Sequence, residues 1–262
     1  MNKFKLTLLI SSIALFIAHP SFADLPQEGD ESDLIYNDFD EDDFAEFALT
    51  NENKIYDPYE NINRKIYVFN DYFDRYFFEH VARFYQNRLP KRARKIISNF
   101  TNNLSLPLSS MNSFLQGKTD NGLATMSNFI INSTIGVFGF FEIASEKGIL
   151  YNNEDFGQTL GHYNNSAGAY LMIPFLGPSS TRDFGGFIVD NSISPIGFNF
   201  FEVSGSENIV DPAYLIGLTS LSTINKRESL LETLEDVRND SFDPYATIRS
   251  AYSQKRINEV AK

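Results

Sequence analysis

Apolar side chains recur in steps of three and four from position 62 to position 84. This spacing places them on one face of a helix, so it predicts a long amphipathic helix reaching toward Leu89, either continuous or with one break. The motif Asp57-Pro58-Tyr59-Glu60 predicts the helix start, because Asp can accept from free amides, Pro suits the first turn and Glu completes a capping box. The repeating residues are Ile62, Ile66, Phe69, Phe73, Phe77, Val81 and Phe84.

The same helix carries aromatic residues on more than one side, among them Tyr67, Tyr72 and Tyr76. A stripe of apolar residues usually packs into a protein core. Tyr and Phe also suit a membrane interface, where the ring contacts lipid and one end stays hydrated. The pattern alone leaves both interpretations open.

The segment 96–141 keeps a helical pattern although its only charged residues are Lys118 and Asp120. Its polar positions are Ser, Thr and Asn, where soluble surfaces mostly use Lys and Glu. The pattern therefore predicts helices with little exposure to bulk water. They would lie either in an ordinary buried core or in a bilayer around a polar cavity. No apolar run here approaches the roughly 20 residues that a spanning helix needs.

Proline and glycine divide this segment into predicted elements. Pro107 is predicted to open a helix that Gly117 ends, and Asp120 is predicted to cap the next helix. Gly136 and Gly139 then stand among bulky apolar residues. They predict a hydrophobic turn, which is either packed into the core or mobile.

The pattern of the remaining residues predicts loops followed by helices. Residues 148–200 are rich in Gly, Pro and aromatic residues, which predicts loops with short strands or helices. Helical patterns return after Pro212, and Asp243-Pro244-Tyr245 predicts the cap of a final helix that runs toward Val260. The fold class predicted from the pattern is therefore mostly α.

The net charge of −12 is concentrated near the N-terminus. Residues 24–53 contain twelve acidic side chains and no basic one, so the rest of the chain is nearly neutral. Such density of one sign predicts a disordered acidic tail. The tail is either a solvated leader or a segment that docks on a basic partner. The acidic balance argues against a nucleic-acid partner.

Residues 1–23 have the features of a secretory signal peptide. Two lysines precede an apolar stretch from Leu6 to Ala18, and Ser21-Phe22-Ala23 provides a small-x-small cleavage site. We expect cleavage after Ala23 and export of the mature chain. An N-terminal membrane anchor is the alternative, although the apolar stretch is short for one.

Five basic residues flank Pro90 within eight positions. They predict either an exposed face or, beside an aromatic helix in an exported protein, a site for phosphate headgroups, to which each basic residue contributes about 1 kcal/mol. The predicted headgroup-binding residues are Arg88, Lys91, Arg92, Arg94 and Lys95.

The sequence offers no recognisable catalytic site. The chain has no cysteine, which excludes disulfides, thiolate zinc sites and a cysteine nucleophile, and it has only three histidines. His162 lies near Asp155 and Ser166, but sequence proximity is weak evidence for a triad. Arg182-Asp183 is either a helix-start ion pair or a functional polar cluster. We predict no catalytic residue, no metal site and no cofactor.

Four motifs cover about residues 55–255. They are Asp57–Arg64 with Phe69, Asn70 and Asp74; Phe156–Gly161; Tyr170–Asp183; and Asp243–Tyr245 with Arg249. In this order they resemble the VacJ/MlaA family of outer-membrane lipoproteins. The string Pro-Phe-Leu-Gly-Pro-Ser-Ser-Thr-Arg-Asp within the third motif is specific, whereas Asp-Pro-Tyr alone is weak.

The resemblance implies a ring-like bundle of amphipathic helices, with irregular loops and a short hairpin, over residues 54–262. Such a ring lies in the inner leaflet of the outer membrane, on the periplasmic side. In the family, mislocalised phospholipids leave the outer leaflet through a polar central passage and reach a soluble periplasmic carrier, and family members associate with trimeric porins. The implied function is non-enzymatic phospholipid transport that maintains lipid asymmetry.

The motifs also suggest site residues. Gly136 and Gly139 match the glycines before a flexible hairpin and are predicted to form a gate hinge. Phe69, Phe73 and Phe77 are predicted to face the membrane. The predicted polar cluster of the channel consists of Asn63, Arg64, Asn70, Asp74, Arg182 and Asp183.

The chain departs from the family in two respects. Family members are usually lipidated on a cysteine after the signal peptide, and this chain has none. The acidic tail matches no family motif. Two alternative functions stay open at this point: an exported adhesion or scaffold protein that uses the tail, and a lipid-acting hydrolase.

Overall fold

A computed structural model describes residues 55–194 and 212–262. The predicted signal peptide (1–23) and the predicted acidic tail (24–53) lie outside the described residues. The prediction of a mostly α fold with a short hairpin is confirmed. In chain order the elements are α1 (Glu60–Phe73), a π-helical segment (Asp74–Phe78), α2 (Glu79–Arg88), α3 (Lys91–Leu115), α4 (Thr119–Thr134), α5 (Ile143–Glu146), α6 (Phe156–His162), β1 (Tyr170–Ile173), β2 (Gly177–Ser180), α7 (Thr181–Ile193), α8 (Pro212–Ser229), α9 (Leu231–Asp240) and α10 (Pro244–Ala261).

The long N-terminal helix forms as predicted, and its break is the π-helical segment between α1 and α2. The predicted cap is wrong. The helix begins at Glu60, and Tyr59 occupies the N-cap without a side-chain hydrogen bond. The Asp57 carboxylate instead accepts from Asn63 Nδ2 at 2.8 Å and from Arg249 Nη1 at 2.8 Å. These contacts engage Asp57, so its carboxylate does not cap the helix.

The prediction that Pro107 opens a helix is also wrong. Pro107 lies inside α3, which is continuous from Lys91 to Leu115. Proline lacks the N–H of one helical hydrogen bond, but α3 packs against α4, and this tertiary contact keeps the helix intact. Gly117 ends the helix region with φ +73°, as predicted. Asp120 lies in the first turn of α4 but does not cap it.

The two strands form an antiparallel hairpin in which Tyr170 pairs with Ser180 and Ile173 with Gly177. The tight turn between them places Phe175 at φ +67° and Gly177 at φ +84°. At the C-terminal end the predicted cap is confirmed, because the Asp243 carboxylate accepts from Ala246 N at 3.2 Å where α10 begins.

The helices contact one another in a closed circuit. α3 packs on α6, α6 on α10, α10 on α9, α9 on α8, and α8 returns to α3. The hairpin lies between α1 and α10. This circuit is the arrangement that a ring-like bundle requires, so the predicted fold class is confirmed. Among the helices in the described ranges, none is long and apolar enough to cross a membrane.

The main apolar core is small and lies between the hairpin and α10. It consists of Tyr170, Met172, Tyr245, Ile248 and Tyr252. The ring of Tyr170 meets the rings of Tyr245 and Tyr252 edge-on, each with a centroid separation of 6.1 Å. Aromatic contacts of this kind fix the hairpin on the C-terminal helix.

Candidate functional site: a polar interior and an apolar exterior

The distribution of polar and apolar residues is the reverse of that in a soluble domain. Across residues 55–194 and 216–262, buried polar or charged residues outnumber buried hydrophobic ones. Many large hydrophobic side chains are instead more than half exposed, and Phe138 is 72% and Leu150 77% exposed. Apolar surface on this scale marks contact with a partner or with lipid. Other members of the exposed set are Val68, Tyr72, Tyr76, Phe84, Leu123, Ile130 and Ile135.

Buried asparagines on α3 and α4 bind the backbone and side chains that follow α4. Asn99 Nδ2 donates to the Phe140 carbonyl at 3.2 Å, and Asn132 Oδ1 accepts from Ala144 N at 3.0 Å. Asn128 Nδ2 donates to the Ile149 carbonyl at 2.8 Å. Several of the uncharged polar positions of this segment are therefore satisfied by the loop backbone.

The turn at the predicted gate hinge is held by backbone hydrogen bonds, both to the end of α4 and within the turn itself. Gly139 N donates to the Asn132 carbonyl at 2.8 Å, and Phe141 N donates to the Gly136 carbonyl at 3.0 Å. Gly139 has φ +87°, and a Cβ there would lie 2.5 Å from the Cβ of Asn103. Only glycine fits this position without strain. The hinge role itself stays a prediction.

Two of the predicted channel residues bind the hairpin. The Asn63 side chain donates to the Tyr170 carbonyl at 3.1 Å and accepts from Met172 N at 2.9 Å. One helical heptad later, the Asn70 side chain donates to the Ile173 carbonyl at 3.0 Å and accepts from Phe175 N at 2.8 Å. The two amides together attach β1 and its turn to α1.

Two more of the predicted channel residues, Arg64 and Asp74, form ion pairs that join distant segments of the chain. Arg64 binds Asp243 through two hydrogen bonds of 3.1 and 2.7 Å. Asp74, in the π-helical segment, accepts from Arg227 on α8 at 2.6 and 2.7 Å and also binds Arg238 on α9. The sequence did not reveal Arg227 and Arg238 as partners.

Arg182 and Asp183 belong to a buried charged cluster. Arg256 on α10 donates to both carboxylate oxygens of Asp155 and to both of Asp183, at 2.7–3.1 Å. Arg182 Nε also donates to Asp183 at 2.9 Å. Burial raises the pKa of Asp183, but the charge and hydrogen bonds of Arg256 outweigh this effect and hold that pKa well below its ordinary value. Arg256 was missed at the sequence level.

Asp190 is a partly buried carboxylate, and within the described ranges no cation donates a hydrogen bond to it. It accepts from Phe156 N at 2.8 Å and from Asn112 Nδ2 at 3.1 Å. Burial raises the pKa of Asp190 to about 6, because the hydrogen bonds compensate only in part for the lost hydration. Asp190 was also missed, although it stands one heptad after Asp183 in a helix with few charges.

We expect Asp190 to contribute a rise of about 2 kcal/mol to the free energy of unfolding as the pH falls from 7 to 4, because it binds its proton more tightly in the folded state than in the unfolded state. Asp155, Asp183 and Asp243 have lowered pKa values and act oppositely, and the loss of stability that they cause begins near pH 4 and grows as the pH falls further. The pKa of Glu259 is raised by burial and adds to the rise.

Urea unfolding of the purified protein in detergent micelles at a series of pH values measures this effect. The matched variant is Asp190→Asn, which cannot ionise and should show a flatter profile between pH 4 and 7. Equal slopes for the two proteins would show that Asp190 is not responsible.

The predicted membrane-facing residues form one aromatic row on α1 and the π-helical segment. The rings of Phe69 and Phe73 are 6.4 Å apart, and those of Phe73 and Phe77 are 5.6 Å apart. Phe175 of the hairpin turn packs edge-on against Phe69 and Phe73 at about 5 Å. Phe69 and Phe77 remain nearly half exposed. Their contact with a membrane stays a prediction.

The five basic residues around Pro90 divide into two groups. Arg94 forms an ion pair with Glu228 on α8, and both side chains are largely buried. The other four are exposed, and none of them forms an ion pair with an acidic residue in the part of the chain that the structure describes: Arg88, Lys91, Arg92 and Lys95.

The weak candidate triad finds no geometric support. The Asp155 carboxylate accepts from Gln158 N at 2.8 Å and from Arg256, where it caps α6 and completes the charged cluster. The His162 ring lies edge-on against Tyr163 with a centroid separation of 5.3 Å. Asp155 therefore has a structural role at the start of α6.

The closed circuit of helices, the buried polar side chains and the exposed apolar side chains together define a class of helical proteins with an unusually apolar surface. The chain belongs to the MlaA lipoprotein family, whose model matches residues 55–259. It is 33% identical over 208 residues to an uncharacterised protein of Rickettsia bellii, covering 79% of this chain and 78% of that protein.

A second relative has a named function. The chain is 32% identical over 203 residues to the intermembrane phospholipid transport system lipoprotein MlaA of Escherichia coli, covering 76% of each chain. It also matches a solved structure that concerns the structural basis for maintenance of bacterial outer membrane lipid asymmetry. That match has a TM-score of 0.65 and 32% identity, and it covers 78% of this chain and 98% of the other.

Proposed function

We propose that this protein is a non-enzymatic outer-membrane component of intermembrane phospholipid transport, which removes mislocalised phospholipids from the outer leaflet and so maintains lipid asymmetry. The observation that carries the proposal is the reversed distribution of residues: many buried side chains are polar, and many large apolar side chains are exposed. Membership of the MlaA lipoprotein family supports the same proposal.

In this function a phospholipid passes through the protein and no bond is broken. A phospholipid needs a polar route for its headgroup and an apolar surface for its acyl chains. In this proposal the buried, hydrogen-bonded Asn, Ser and Thr side chains of α3 and α4 would hold the wall of the polar route, and the exposed aromatic and aliphatic side chains would face the hydrocarbon. The row of Phe69, Phe73 and Phe77, of which Phe69 and Phe77 are nearly half exposed, would then lie against the membrane.

The ordered contacts of the site suggest how such a route is kept open. The Asn63 and Asn70 amides, the Arg64 and Asp74 ion pairs, and the Arg182–Asp183 cluster all join separate elements of the circuit. In this proposal they hold the wall of the passage, and the turn containing Gly136 and Gly139 provides the movable part. A trimeric porin and a soluble periplasmic lipid carrier are the proposed partners.

The proposal is tested by deleting the gene in the bacterium that carries it. We expect more phospholipid to become accessible to an added phospholipase at the cell surface, and greater sensitivity to detergent, with both defects reversed by the wild-type gene. Unchanged surface phospholipid in the deletion strain would contradict the proposal. A copy lacking residues 24–53 but retaining the signal peptide should also restore both properties, whereas a scaffold protein acting through that tail would lose its function.

A further inference from the structure

A cluster of uncompensated positive charge lies at the junction of α2 and α3. Arg88 ends α2, and Lys91, Arg92 and Lys95 lie on the first turns of α3. All four side chains are exposed, and none pairs with an acidic side chain within residues 55–194 or 212–262. Most other arginines in the described ranges do form such pairs, including neighbouring Arg94. We call these four residues the basic patch.

Three of the four residues of the basic patch lie at the start of α3, which is unfavourable for that helix, whereas Arg88 lies at the favourable C-terminal end of α2. The first turn of α3 contains Lys91 and Arg92 and no acidic residue. A helix dipole is positive at this end, so cations here weaken the helix, and acidic residues would strengthen it. Mutual repulsion among four positive charges adds to this cost. Because the patch does not serve the stability of α3, a negatively charged partner outside the described chain explains it better.

The surface next to the patch is aromatic and exposed. Phe84 lies one turn before Arg88 and is 63% exposed, and the Arg88 guanidinium lies over its ring at 5.4 Å. Earlier in the chain, on α1 and in the π-helical segment, Tyr72 and Tyr76 are also exposed, and their rings are 4.3 Å apart. Basic side chains beside aromatic rings suit the headgroup region of a bilayer, where phosphates meet the acyl chains. A purely acidic protein partner would not require an exposed aromatic ring such as that of Phe84 beside the cations.

We propose that the basic patch, together with Phe84, docks the protein on a bilayer surface rich in anionic phospholipid. The ligand is the phosphate of the anionic headgroup, held by the four cations, while Phe84 inserts at the interface. This inference rests on the membrane location in the proposed function and deepens it, because it names the lipid class at the surface. Arg94 is excluded from the docking site, since Glu228 neutralises it.

Vesicle binding by the purified full-length protein tests the proposal. The vesicles consist of phosphatidylcholine alone or of phosphatidylcholine mixed with phosphatidylglycerol, and binding is measured by flotation at low and high salt. We expect tighter binding to the mixed vesicles, and we expect high salt to weaken it. The patch variant combines Lys91→Gln, Arg92→Gln and Lys95→Gln, and it should bind the mixed vesicles roughly a hundredfold more weakly.

The matched control removes the same number of positive charges from exposed positions elsewhere: Lys65→Gln, Lys147→Gln and Lys262→Gln. It should bind the mixed vesicles almost as the wild type does. Equal binding by the patch variant and the wild type, or equal loss in both variants, would overturn the proposal. If the patch variant binds vesicles normally but loses an acidic periplasmic protein that purifies with the wild type, the partner is a protein and the proposal is wrong.

The outcome is separable from the test of the proposed function. The deletion strain reports whether the protein transports phospholipid in cells, whatever surface holds it there. Normal vesicle binding by the patch variant would refute the docking site and leave the transport proposal standing. A deletion strain with normal surface phospholipid would refute transport and leave the lipid-binding result intact.

Discussion

Replacing Arg256 by methionine is expected to lower the free energy of unfolding by about 3–5 kcal/mol. The guanidinium is 5% exposed and binds the carboxylates of Asp155 and Asp183, of which Asp183 is 1% exposed. Without Arg256, two carboxylates would remain close together in a largely buried place, and Arg182 and Tyr252 would be the donors left to Asp183 among the described residues. Uncompensated buried charge of this kind is among the costliest changes a single substitution makes.

Urea unfolding of the wild type and the variant in detergent micelles measures the effect. The control is Arg75→Met, which removes a half-exposed arginine paired with Asp71 at 2.9 Å within one helix, and which should change stability by less than about 0.5 kcal/mol. The Arg256 variant should also regain stability at acidic pH, where protonation removes the repelling charges. A loss no larger than that of the control would refute this account of the cluster.

Replacing Gly186 by alanine should be almost as damaging, for a steric reason. A Cβ at Gly186 would lie 2.3 Å from the backbone nitrogen of Gly157 and 2.7 Å from its Cα, so α6 and α7 would have to separate. Overpacking against backbone cannot be relieved by rotating a side chain, and we expect a loss of about 3 kcal/mol. The same separation would pull Asp183 away from Asp155 and weaken the shared contact with Arg256.

The preceding residue provides an internal control. Gly185 lies in the same helix, and a Cβ there would meet nothing within 4 Å. Gly185→Ala should therefore raise the free energy of unfolding by up to about 1 kcal/mol, because alanine favours the helix. Opposite signs for the two neighbouring substitutions, measured by thermal unfolding, are the expected result. Two losses of similar size would show that the α6–α7 contact is not the cause.

The local elements were predictable because their signals are local. The spacing of apolar residues gave the long N-terminal helix, and the Asp243 cap acts on the amide three residues later. The specific string before Asp183 identified the family, and with it the hairpin. The Pro107 and Asp57 predictions failed because tertiary contacts overrode local preferences: α4 supports the helix around Pro107, and Arg249 and Asn63 engage Asp57.

The partners within the site were not predictable from one sequence. Arg256 meets Asp155 and Asp183 across 101 and 73 positions of the chain, and Arg227 meets Asp74 across 153. Neither the period of a helix nor the residue type fixes which distant carboxylate an arginine will reach. The sequence did indicate the kind of interior, since the scarcity of charge in segment 96–141 anticipated buried Asn, Ser and Thr.

The hydrogen bonds of the Asn63 and Asn70 side-chain amides determine which elements of the protein unfold together. A two-stranded hairpin alone is only marginally stable in water. Here the side chains of two residues, one heptad apart on a helix, satisfy the outer edge of β1 as a neighbouring strand would. The hairpin and α1 therefore belong to one cooperative folding unit, and fraying of the first helix exposes the strand edge at the same moment.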